Sequence, residues 1–129
     1  RVSFFVIYVR EAHAADGRAS RENERAGIRI EQPKTTGERE AAARNCLSDL
    51  KLSMPFLIDN LRDTVGAQYD AFPDRLFVID KEGRIAFRGA PGPRGFDIEA
   101  AATALEKLLA PPPERTEEAA EEKAAPSQE

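Results

Sequence analysis

The chain has 129 residues, with 19 Lys and Arg against 23 Asp and Glu, a formal charge of −4, and a single His, Cys and Met. That length suits one domain with a modest core. No apolar stretch approaches the roughly 18–20 residues of a membrane span, one Cys excludes an internal disulfide or a C-x-x-C pair, and one His with one Cys leaves no zinc site of the usual ligand number.

Six acidic and two basic side chains lie between 111 and 129. The rest of the chain is therefore neutral and makes no electrostatic case for binding nucleic acid or an anionic membrane. Val2–Val9 (VSFFVIYV) is continuous, β-branched and aromatic-rich without alternation, which predicts a fully buried strand. It lacks the small-residue cleavage site of a leader peptide. A cytoplasmic protein is the first expectation, with a leader or anchor ahead of Arg1 left open. The start at Arg1, already close to a strand, suggests a fragment or a processed product.

The strand empties into Glu11, His13 and an Asp16-Gly17 turn. The C-terminal ends of buried strands are where α/β proteins commonly build sites. Arg10–Lys34 is polar and without sustained period, a long connection of the functional or mobile kind. Ser20–Arg25 (SRENER) within it reads as a solvated face. Thr35-x-x-Glu38 has the spacing of a capping box. Ala43, Cys46, Leu47 and Leu50 then fall at i, i+3, i+4 and i+7 and give the helix one apolar face.

Met54–Asp59 (MPFLID) predicts a short strand entered through proline, and Asn60 can cap a helix with Leu61, Val65 and Tyr69 on one face. Leu76–Asp80 and Arg84–Arg88 read as a hairpin, with Gly83 at the left-handed position of the turn. Gly89–Gly95 (GAPGPRG) is a loop whose prolines remove N–H donors, so it is no phosphate cradle. Asp97 caps a last helix with Ile98, Ala101, Ala102, Leu105, Leu108 and Leu109 on one side. Beyond it, Pro, Ala and Glu leave almost nothing to bury, so 111–129 is expected to be a disordered acidic tail after a domain spanning 1–110.

The order β–loop–α–β–α–β–β–α is α/β. It corresponds to the back part of a thioredoxin-like domain, incomplete at the N-terminus. Cys46, on the apolar face of its helix, reads as a small structural hydrophobe rather than a nucleophile. Asp74-Arg75 is either a site pair or an ion pair closing the entrance to a strand. Pro73 is similar to the cis-proline that flanks the nucleophile in thioredoxins, though it stands one residue early relative to Leu76–Asp80 (LFVID).

The segments VIYVREAHAADG (Val6–Gly17), QPKTTGERE (Gln32–Glu40), PFLIDNLRDTVGAQYDAFPDRLFVIDKEGRIAFRG (Pro55–Gly89) and GPRGFDIEAAATALEKLL (Gly92–Leu109) together resemble the iodothyronine deiodinase family, its bacterial deiodinase-like members most closely. The resemblance implies a thioredoxin fold and reductive removal of iodide from an iodinated phenol. It also implies a selenocysteine or cysteine nucleophile, an external thiol reductant, no bound cofactor and no metal; a homodimer stays open. Tyr8, Glu11 and His13 fall on positions implicated in the family's active site. Asp74 stands where animal members carry a glutamate, followed by Arg75 as in the family. Pro91 replaces a substrate-holding arginine, with Arg94 three residues on. Arg18 stands where a tryptophan is usual, and no second histidine occurs near Pro33–Lys34.

On this reading His13 supplies a proton to the dehalogenated ring carbon, since imidazole titrates near neutrality, and Tyr8 and Glu11 orient or tune it. The alternative is a histidine that caps a turn at the end of the strand. The nucleophile segment is expected upstream of Arg1, leaving this chain inactive alone and exposed along one sheet edge. Two other readings stay open: a thiol-dependent redoxin reducing peroxides or disulfides, and a non-catalytic thioredoxin-fold interaction module.

Overall fold

Only the middle of the opening apolar run becomes a strand. In the computed structural model, which describes residues 1–111, β1 covers Val6–Tyr8 and pairs in parallel with β2 (Phe56–Ile58), Val6 opposite Phe56 and Tyr8 opposite Ile58. The expected full burial does not hold. Phe4, Phe5 and Ile7 are 60%, 58% and 43% exposed, while Val6 and Tyr8 are half-buried. An unbroken apolar run implies cover on both faces of a strand. Here, among the described residues, β1 has one hydrogen-bonded neighbour, so the two-residue alternation of a half-covered strand appears instead.

The connection from Arg10 to Lys34 is not all loop. Ser20 accepts from the N–H groups of Glu22 and Asn23 and starts a five-residue helix, α1 (Arg21–Arg25), with no buried residue. The solvated face was legible; the helical turn, shorter than any period test resolves, was not.

α2 (Thr36–Asp49) begins as its sequence predicts. The Thr35 hydroxyl accepts from Glu38 N–H at 3.2 Å, and the Glu38 carboxylate accepts from Thr35 N–H at 3.2 Å and Lys34 N–H at 2.7 Å. Its buried stripe is shifted one turn toward the N-terminus from the expected one. Arg39, Ala42 and Ala43 are buried and Cys46 and Leu47 half-buried, while Leu50 lies past the helix end, 62% exposed. α2 packs on β2.

Asn60 does not cap the next helix. α3 (Thr64–Tyr69) starts at Asp63, which holds a left-handed backbone (φ 55°), and Asn60 instead closes a turn by accepting from Arg62 N–H. The buried Asp59 supplies the cap's function from further back: one oxygen accepts from Gly66 N–H and the other from Asn60 N–H, both at 2.8 Å.

β3 (Phe77–Ile79) and β4 (Ile85–Arg88) form the antiparallel hairpin, with Gly83 at φ 81° and the Asp80 carboxylate accepting from Glu82 and Arg84 N–H. α4 (Ile98–Leu109) is capped by Asp97, whose carboxylate accepts from Ala100 N–H at 2.9 Å. It lies on β3 and β4 through half-buried Ala101, Ala104 and Leu105, whereas Ile98, Ala102, Leu108 and Leu109 of the predicted face are exposed.

The described residues form a mixed α/β structure of four helices and two two-stranded sheets, one parallel and one antiparallel. Its core is thin: among the described residues the buried apolar side chains are those of Ala14, Pro33, Ala42 and Ala43, and no large side chain is fully buried. Among the described residues no helix is long and apolar enough to cross a membrane. The expected acidic tail lies, from 112 onward, outside the described residues.

Candidate functional site

Strand β1 and the turn after β2 meet at the point where the titratable residues emerge. Tyr8 ends β1, its carbonyl accepting from Asp59 N–H at 2.9 Å and its ring 6.1 Å from that of Phe56. The Tyr8 hydroxyl is buried and has no hydrogen-bond partner. Two residues on, Arg10 is held by Asp63: its N–H donates to the carboxylate at 3.2 Å, and Nε lies 3.5 Å from the other oxygen. The Arg10 guanidinium lies over the Phe72 ring, 4.2 Å from its centre, a cation–π contact that ties the end of β1 to the approach to β3.

Glu11 follows, half-buried. Burial pushes its carboxyl above the ordinary glutamate range, while the Arg39 guanidinium and the His13 imidazole pull it back down. His13 is exposed and its Nδ1 donates to the Arg18 carbonyl at 3.3 Å. A carbonyl only accepts, so Nδ1 carries a proton and Nε2 is the nitrogen left for exchange with solvent or substrate. This bond also closes a turn, as the alternative reading of His13 expects.

The loop is tied back by Ala15 N–H to the Ile30 carbonyl at 2.8 Å and by Gln32 N–H to the Asp16 carboxylate at 2.8 Å. That second bond holds the Asp16 carboxyl below the usual range. Arg10, Glu11, Asp16, Arg18 and Phe72 line an open hollow of about 360 Å³ at this end of β1.

Sequence reasoning missed Arg39. It is 2% exposed on α2, and its Nη1 donates to the carbonyls of Asp59, at 3.3 Å, and of Asn60, while its Nε has no partner. The available signal was positional: Arg39 stands four residues before Ala43, on the same stripe as Ala43 and Cys46. Cys46 is half-buried and its thiol is pushed up by burial and by the negative charges of Glu11 and Asp49. That is the reverse of what activates a nucleophilic thiolate.

The other three predicted site residues lie apart from the hollow. Asp74 is exposed, its carboxylate seated against Gly92 so closely that a Cβ there would stand 2.0 Å from it. Asp74 and Arg75 form no ion pair with each other. The Arg75 side chain, 7% exposed, donates to the Gly89 carbonyl at 3.2 Å and reaches Asp70 at 3.2 Å, and Asp70 also binds Arg88 at 2.7 Å. Arg75 therefore braces the start of β3 against the end of β4. Arg94 is exposed on the Gly89–Gly95 loop. The Phe72–Pro73 peptide is cis, as the likeness to thioredoxins implies, and so is Gly92–Pro93. Among the described residues no three His, Cys, Asp or Glu side chains are grouped to hold a metal.

The family model described as iodothyronine deiodinase matches residues 1–109. Type I iodothyronine deiodinase of Xenopus laevis is 35% identical over 104 residues, covering 81% of this chain and 39% of that protein. Thyroxine 5-deiodinase of Bos taurus is 30% identical over 118 residues, 88% of this chain and 38% of its own length. The enzyme of the same name from Sparus aurata is 32% identical over 95 residues, with 74% and 34% covered. The chain thus spans less than two fifths of the length of these relatives.

Proposed function

Because the chain belongs to the iodothyronine deiodinase family, we propose that it serves a deiodinase-like oxidoreductase that removes iodide reductively from iodinated phenols such as iodothyronines. On this reading residues 1–110 are a thioredoxin-like domain and 111–129 an acidic tail. The parallel β1–β2 pair, the antiparallel β3–β4 hairpin and the docking of α4 on that hairpin support the assignment of the fold.

The reaction replaces a C–I bond by C–H. A selenolate or thiolate takes the iodine, the electron pair of the broken bond stays on the ring carbon, and that carbon takes a proton. Two equivalents of an external thiol then release iodide, regenerate the selenol or thiol and leave as a disulfide, so no bound cofactor is needed. Cys46 does not supply the attacking atom, because burial and neighbouring charge disfavour its thiolate. The nucleophile comes from outside these 129 residues, and the chain alone releases no iodide.

The side chains at the end of β1 handle the proton. Glu11, its carboxyl raised by burial and lowered again by Arg39 and His13, orients and tunes the imidazole. His13, exposed and with Nε2 free, supplies the proton to the ring carbon. The Tyr8 hydroxyl, buried and unpaired, offers a hydrogen bond to an incoming group. Asp74 and Arg94 lie on adjoining loops and are the substrate's polar contacts, while Arg75 shapes that wall through Asp70 and Gly89.

The observation that carries this reading is the turn at the end of β1, which holds half-buried Glu11 two residues from exposed His13, whose Nδ1 is fixed on the Arg18 carbonyl. The test is iodide release, coupled to a thiol reductant, by a protein with its complete deiodinase domain. His13→Ala and Glu11→Gln should each lower turnover at least roughly 100-fold, the scale of general acid catalysis. Turnover unchanged in both variants would remove the assignment.

A further inference from the structure

We propose that Arg39 is a positioning residue for Glu11: by tethering the turn between β2 and α3 it fixes where the end of β1 lies. The proposal rests on the reading of Glu11 as the residue that orients and tunes the His13 proton donor. A guanidinium 2% exposed has been taken out of water at considerable cost, and among the described residues no carboxylate forms an ion pair with it. Its Nη1 is spent on two consecutive backbone carbonyls, those of Asp59 and Asn60. An apolar side chain would fill the same space without that cost, so the cation has a use that packing alone does not explain.

The tethered turn holds β1 twice. Asp59 N–H donates to the Tyr8 carbonyl at 2.9 Å, and the Asp63 carboxylate accepts from Arg10 N–H at 3.2 Å. These attachments, two residues apart, set the direction in which the chain leaves the strand, and Glu11 is the next residue. Arg39 is thus the one cation of α2 that both braces this turn and acts on the Glu11 charge. The other charged groups around Glu11 are His13, Arg10, Asp16 and Arg18 of its own segment, with the Cys46 thiol on α2.

The experiment is an NMR pH titration of the Glu11 carboxyl in the full chain, with amide exchange measured at Asp59 and Arg10. In Arg39→Gln the Glu11 midpoint should move upward, since a charge that lowers it is gone, and both amides should exchange roughly tenfold faster. Arg39→Lys should keep the midpoint near that of the parent yet still speed exchange, because the shorter lysine arm does not bring Nζ to the point from which Nη1 reaches both carbonyls. A folded Arg39→Gln with an unmoved midpoint, or with both amides as protected as before, overturns the proposal. Should Arg39→Gln not fold, Arg39→Lys decides: faster exchange at both amides upholds the tether, and unchanged exchange rejects it. Glu11→Gln without effect on iodide release would remove the functional reading instead, and would leave the titration result standing.

Discussion

Asp59 is the most exposed point of failure in the site's support, although it is 4% accessible to solvent. Its two carboxylate oxygens accept from Asn60 N–H and Gly66 N–H, each at 2.8 Å. Asp59→Ala removes both acceptors. The Gly66 N–H is buried inside the first turn of α3 and has no water to turn to, which costs about 2 kcal/mol. The Asn60 N–H lies at a part-buried turn and recovers some hydration, so about 1 kcal/mol is lost there. The sum, about 3 kcal/mol, is a large share of the roughly 5–15 kcal/mol that stabilises a domain.

With a urea slope of about 1.5 kcal/mol/M for a domain of this size, the unfolding midpoint should fall by about 2 M. Asp59→Asn keeps one acceptor oxygen and should fall by about half as much. The same lesion loosens the start of α3, where Asp63 grips Arg10, so amide exchange at Arg10 should quicken in parallel. If Asp59→Ala unfolds within about 1 kcal/mol of the parent, the buried carboxylate is not what holds the turn, and the reasoning fails.

Glu11 should give a signature in stability against pH. Its folded pKa is raised, so across the window from the ordinary glutamate value up to the folded one the native state binds more protons than the unfolded state. Stability therefore falls as pH rises through that window, and Glu11→Gln should abolish the fall; urea unfolding at a series of pH values checks this, and an identical slope in parent and variant would refute it. Cys46 should react with iodoacetamide at neutral pH more slowly than a free thiol, and as fast as one after unfolding in urea, because its thiol is pushed up in the folded chain. Equal rates before and after unfolding would mean that the helix does not shield it.

What the sequence made legible was what neighbours along the chain decide. Thr35 with Glu38, Asp97 with Ala100 and Gly83 in its tight turn all act within four residues, and each formed where its residue types predict. The hairpin was legible too, since strand composition and a short glycine-bearing connection constrain it. The failures share a different cause. Asn60 has the residue type of a cap, but the carboxylate of Asp59 reaches Gly66 seven residues on, and the helix starts under that bond instead. The opening run has the composition of a strand covered on both faces, and how much cover it has depends on elements no local window contains.

The site divides along the same line. Glu11 and His13 could be singled out because an unbroken apolar run empties into them, a feature of consecutive residues. Arg39 could not, because a lone arginine between Glu38 and Glu40 reads as part of a solvated helix face. Its burial becomes visible only when α2 is laid on β2, which turns residue 39 toward the carbonyls of Asp59 and Asn60. Asp63 is hidden for a similar reason: its grip on Arg10 spans 53 residues and depends on a left-handed backbone that aspartate tolerates but does not announce. The residues expected to do chemistry were thus legible from their order in the chain, and those that hold them were legible only from the fold. A variant series that changes Glu11 and His13 alone would test the first group and miss the second. Pairing each with Arg39→Lys measures how much of the Glu11 behaviour is set by placement, because that change keeps the charge and alters only the tether.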